Sequence, residues 1–207
     1  MKKHILSLFF IILLLTFASC DKSSLNGDTV VLLGKENYVK NIDTMIPDSL
    51  STEFLSRMGN VAEGYIPPNI EGEYVIGPIQ FCYSNAYSIF DKQDVNLKIT
   101  NQHNRVATVE LYDEGYQITD TAYIMGEGQC FTLYFTEDRE LSYFGSISSI
   151  TRNVVITGEK TETGIRNLYF GNIIQNVYSG GSPYIGSFVP GWYFIYKDQD
   201  GMSEESL

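Results

Sequence analysis

The chain is 207 residues long, with 14 Lys and Arg against 25 Asp and Glu, a formal charge of −11. A composition that is 43% hydrophobic and 19% charged, with 15 Tyr, 12 Phe and one Trp, can build a core and excludes a disordered acidic tail. So few scattered basic residues do not make a nucleic-acid face, and His4 and His103, the two histidines, supply neither a multi-histidine zinc site nor a convincing triad.

Lys2 and Lys3 precede an almost wholly apolar run from Ile5 to Phe17, and the small Ala18 and Ser19 lead into Cys20, which is the layout of an export leader over residues 1–19. The run is shorter than the roughly 20 residues a spanning helix needs, so it is expected to be removed rather than kept. Phe17-Ala18-Ser19-Cys20 resembles a bacterial lipobox, which implies that the Cys20 thiol is lipidated and becomes the mature N-terminus. An ordinary secretory leader with a chance cysteine is the alternative. Loss of residues 1–19 leaves 12 basic and 25 acidic residues, a net of −13. An anionic bilayer surface repels such a body, so acyl chains rather than charge must hold it there. The expected address is the cell envelope, at the outer membrane, with the periplasmic and surface-facing leaflets both open.

Residues 20–45 read as a tether, beginning with the small polar run Asp21 to Asp28. Val30 to Leu33, ended by Gly34, fits either a short strand or more tether. From Pro47 to Gly59 the period is helical: Leu50, Phe54, Leu55 and Met58 share a face, Asp48 or Ser49 can cap the start and Gly59 the end. The spacing predicts one short amphipathic helix that flanks or plugs a sheet.

From Gly72 onward the period becomes two. Val95-Leu97-Ile99, Ala107-Val109-Leu111 and Phe131-Leu133-Phe135 each alternate with polar or aromatic neighbours, as half-buried antiparallel strands require. Turn signals fall at Asn101 to Asn104, Asp113 to Gly115, Gly126 to Gly128, Thr136 to Arg139 and Gly158 to Gly164. The fold class is therefore all-β, an antiparallel up-and-down meander of about eight to ten strands in a single domain over residues 46–207. Closing it into a barrel removes the exposed edges; a β-sandwich is the competing architecture.

The run Ile66-Pro67-Pro68-Asn69-Ile70-Glu71-Gly72-Glu73-Tyr74, following a helix that starts at Ile46-Pro47-Asp48, resembles uncharacterised Bacteroidetes-type lipoproteins with a lipocalin-like, or calycin-like, barrel. In that resemblance Gly72-Glu73-Tyr74 stands where lipocalins carry Gly-x-Trp on the first strand, and Gly191 to Asp198 supplies the last strand. It covers roughly residues 46–200 and implies fold and location more than activity.

The candidate residues follow from this frame. Trp192, Tyr193, Phe194 and Tyr196 crowd one strand, so Trp192 and Phe194, with Tyr74, are expected to offer an aromatic platform for an apolar or carbohydrate ligand. Packing in a core or beneath a neighbouring element is the plainer account of the same residues. Asp120 shares a strand face with Ile118 and Ala122 and is expected to meet a polar cavity unless the strand is interrupted there. Cys82 and Cys130 can pair outside the cytoplasm if their strands are neighbours; buried free thiols are the alternative. Asp198-Gln199-Asp200-Gly201 opens like a calcium loop, but the match stops before the bidentate glutamate, and no metal or cofactor is assigned. His103 falls in a hairpin tip, and the serines from Ser142 to Ser149 lack a nucleophile elbow. The carboxylates belong to turns and outer faces.

These readings give a lipid-anchored, non-catalytic envelope protein that binds a small apolar or carbohydrate ligand, or a protein partner, and does not bind nucleic acid. The competing readings are an accessory envelope subunit whose barrel is filled by its own side chains and, behind both, a carboxylate-dependent hydrolase.

Overall fold

The computed structural model describes residues 45, 46, 48–86, 94–113, 115–143, 146–179 and 188–206. The expected leader, the lipidated Cys20 and nearly all of the tether lie outside the described residues. Among the described residues a helix, α1 (Asp48–Arg57), precedes ten strands: β1 (Gly72–Ile76), β2 (Ile79–Ser84), β3 (Val95–His103), β4 (Val106–Asp113), β5 (Tyr116–Glu127), β6 (Cys130–Tyr143), β7 (Ser146–Lys160), β8 (Gly164–Ser179), β9 (Tyr193–Asp198) and β10 (Met202–Glu204).

All ten belong to one antiparallel sheet in the order β1-β3-β4-β5-β6-β7-β8-β9-β2, with β10 also pairing β8. Its first and last strands, β1 and β2, are consecutive in the chain and separated only by Gly77 and Pro78. Three peptide steps span at most about 11 Å, so the two edges of the sheet must meet. They meet along a seam. β9 and β10 lie end to end beside β8, and β1 and β2 lie end to end beside them: β2 pairs β9, Tyr74 bridges Glu205, and the Ser206 amide donates to the Glu73 carbonyl at 2.7 Å. This is the expected meander closed into a barrel rather than a sandwich of two sheets.

The period of two is what fills it. Val95, Leu97, Ile99, Val109, Leu111, Ile124, Phe131, Leu133, Phe135, Ile156 and Phe170 form a continuous buried interior. At the end carrying the β5–β6 turn, here the lower end, the chain between α1 and β1 crosses beneath the barrel. There the Ile66 amide donates to the Gly126 carbonyl at 3.0 Å, and Ile70 is buried in the interior cluster. Gly115 and Gly128 turn the β4–β5 and β5–β6 hairpins with φ of 84° and 64°, conformations that side chains resist.

Outside the barrel, Phe54 of α1 and Met58 just beyond its end lie on Tyr134, Val155, Ile173, Tyr193 and Ile195. It ends as expected near Gly59, whose φ is 69°. The helix explains why β9 is aromatic on both sides: Phe194 and Tyr196 face the interior, while Tyr193 faces the helix with Phe54 edge-on at 5.4 Å. Met45 and Ile46 are also packed against this outer layer.

Two expectations need correction. Thr136 to Arg139 is not a turn: β6 runs through it without a break to Tyr143, paired residue for residue with β7. Cys82 does not bond Cys130, because β7, β8 and β9 separate their strands; Cys82 is a free, exposed thiol on β2 and Cys130 is buried at the start of β6.

Candidate functional site: a polar cluster where two strands part

β5 and β6 pair only near their turn, over five residue pairs from Glu127 opposite Cys130 to Tyr123 opposite Tyr134. Above Tyr123, β5 stays with β4 as far as Tyr116; above Tyr134, β6 stays with β7 as far as Tyr143. Among the described residues, the facing edges of upper β5 and upper β6 carry no ladder to each other. An interrupted ladder leaves backbone groups for something else to satisfy.

The side chains at this level are unlike the rest of the interior. Counting by two along β6, the row that buries Phe131, Leu133 and Phe135 continues with Glu137 and Arg139. Opposite Glu137 on β7 stands Arg152, whose Nε donates to Glu137 Oε1 in an ion pair. Next along on β8 is Asn172, facing Val154 on one side and Phe194 on the other. All four are deeply buried, with exposures of 2% for Glu137, 6% for Arg139, 6% for Arg152 and 4% for Asn172. The Arg139 guanidinium lies 4.6 Å from the centroid of the Tyr116 ring, so it reaches from β6 across to β5.

Burying guanidinium and carboxylate groups is costly unless every lone pair is met. Here it is not. Glu137 Oε2 and Asn172 Oδ1 are buried with no hydrogen-bond partner among the described residues. A buried acceptor left unmet costs about 1–3 kcal/mol, so the cluster is stabilised by whatever brings donors to these atoms.

The residues expected to form a site divide between this end and elsewhere. Phe194 joins the cluster, directly opposite Asn172. Trp192 is half-buried at the interior's edge, and its carbonyl accepts from the amide of Ile174, the residue opposite Arg152. Asp120 stands on β5 in the same alternating row as Tyr116 and Ile118, half-buried, with Oδ1 accepting from the Thr121 amide at 2.6 Å. Tyr74 lies at the opposite end, wholly buried, its hydroxyl donating to the carbonyls of Ile70 and Glu71 at 3.0 Å each.

Tyr74 closes the lower end, and Gly72 makes room for it. A Cβ at position 72 would come within 2.6 Å of the Tyr74 hydroxyl. Lys160 Nζ lies 5.2 Å from the ring centroid while donating to Glu205 Oε2 at 2.7 Å. This basic partner comes from the end of β7, where the sequence offers no sign of it. Burial raises the Tyr74 phenol pKa, and Lys160 partly counters the rise.

Sequence reasoning missed Glu137, Arg139 and Arg152 because a polar run next to Thr136 has the composition of a turn. The available signal was the unbroken alternation from Phe131 through Arg139. No group of three or more His, Cys, Asp or Glu able to hold a metal is gathered among the described residues, and no helix among them is long and apolar enough to cross a membrane. Comparison with known protein families, with curated proteins and with solved structures found no match.

Proposed function

We propose that this chain is a lipid-anchored, non-catalytic protein of the cell envelope whose barrel binds a small ligand at its upper end, where β5 and β6 part. The observation that carries the binding reading is the buried cluster of Glu137, Arg139, Arg152 and Asn172, which includes acceptors with no partner among the described residues. An interior serving packing alone has no use for two buried arginines where leucines would fill the space at less cost. The anchor rests on the leader and on Cys20. Replacing Cys20 with Ser should move the protein from the membrane fraction to the soluble one and abolish incorporation of labelled palmitate; retention of both would overturn the anchor.

An accessory subunit with a filled barrel is the second reading, favoured by the close packing of Leu97, Leu133, Phe131 and Phe170 below the cluster. Soaking crystals of the protein with small ligands separates the two. Density beside Arg139 and Tyr116 supports the binding reading, and a cluster that takes up nothing supports the accessory one.

A further inference from the structure

We infer that the ligand of this upper site is a neutral, hydroxyl-rich small molecule, entering between β5 and β6 and donating hydroxyl protons to Glu137 Oε2 and Asn172 Oδ1. The inference rests on the binding reading and adds the ligand class. Three classes of small molecule can be weighed against the groups present. An apolar ligand would bury Glu137 Oε2 still further and leave it unmet, at the cost any unpaired acceptor carries. A carboxylate would find arginines, but would also face the Glu137 oxygen, which accepts and does not attract a second anion. A polyol carries a donor at every hydroxyl and no net charge, so it can meet Glu137 Oε2 and Asn172 Oδ1 at once without bringing a second anion beside Glu137.

Aromatic faces beside the cluster agree with this class. Tyr116, at the open edge of β5, leaves over a third of its surface exposed, and Trp192 is half-buried at the interior's edge. Such rings give a sugar's C–H face contact area at little cost in conformational freedom. The route is set by register: upper β5 and upper β6 share no ladder, and the lower end is closed by Ile70 and Tyr74.

The test titrates the purified full chain, in detergent, with a panel of neutral monosaccharides and disaccharides and separately with laurate, followed by calorimetry and by amide shifts. At least one neutral sugar should bind at or below about millimolar concentration, with shifts centred on Tyr116, Glu137 and Asn172. Tyr116→Ala, a change at an exposed ring, should weaken that binding at least tenfold while leaving the melting temperature close to that of the parent. Glu137→Gln should also weaken it, but it breaks a buried ion pair, so Tyr116→Ala is the deciding variant. Laurate binding at the cluster without any sugar binding would overturn the ligand class and leave the binding site standing. Binding of neither, with an ordered water alone at Glu137 Oε2, would overturn both.

Discussion

Single residues close this barrel at both its lower end and its seam, and each can be probed alone. Removing the Tyr74 hydroxyl in Tyr74→Phe leaves the Ile70 and Glu71 carbonyls without their donor, and the Ile70 side is fully buried. A loss of about 1–3 kcal/mol is expected, read as a lower urea midpoint with an unchanged slope; an unchanged midpoint would show that the hydroxyl plays no part in closure. At the seam, Asp198 is buried where β9 bends into β10, with Oδ2 accepting from Ser203 Oγ at 2.5 Å. Burial, ahead of the nearby Asp200 carboxyl, pushes its pKa up to about 6. The folded chain therefore holds a proton there that the unfolded chain, with an ordinary carboxyl near 3.8, has already lost. The resulting stabilisation is complete below that ordinary value and is lost as pH rises through about 6. Asp198→Asn should flatten the fall in stability between pH 4 and pH 7 by about 1 kcal/mol, the full shift being discounted for water around the exposed Asp200. A parent and variant with parallel pH profiles would show that Asp198 does not carry this dependence.

At the scale of elements, the helix was legible and its seat was not. Leu50, Phe54, Leu55 and Met58 mark α1 in the sequence, but nothing there says that it covers the outer face of β8. The seat depends on Gly171: a Cβ at that position would come within 2.5 Å of both Met58 Sδ and a Phe54 ring carbon. A glycine in a strand gives up packing for close approach, and here the approach belongs to the helix. Gly171→Val should lift α1 and cost about 1–3 kcal/mol, with the loss of Phe54 and Tyr193 contacts visible in their aromatic shifts; a stable variant with those shifts unmoved would refute the assignment. The same limit hid the polar cluster. Alternation shows which residues share a face, as it did for Val95, Leu97 and Ile99. It does not say whether a charged residue such as Glu137 continues the row or ends the strand. That depends on Arg152, a partner supplied by the facing strand β7.

For the whole molecule, the meander was legible because neighbouring strands in the sequence are neighbours in the sheet from β3 to β9. Closure was an inference from the exclusion of exposed edges, and the register shows how lightly it is made. β6 and β7 share fourteen residue pairs and β7 and β8 share twelve, whereas β10 holds β8 by three and β2 holds β9 by five. Cooperative opening follows the weakest boundary, where few apolar contacts and few ladder bonds must be given up. The seam between β1 with β2 and β9 with β10 should therefore open before the β6-β7-β8 wall, in a sub-global step. Native-state hydrogen exchange should show the Met202 to Glu204 and Gly72 to Ile76 amides exchanging at a lower free energy than those of Val154 to Thr157, which need global unfolding. The outward amides of upper β5, lacking a ladder to β6, should exchange faster still. If seam and wall amides instead share one free energy, the barrel opens only as a unit and the three-residue β10 is as firm a closure as a full strand. In that case the burial of Asp198, Ser203 and Tyr74 along the seam would have to outweigh its few backbone bonds.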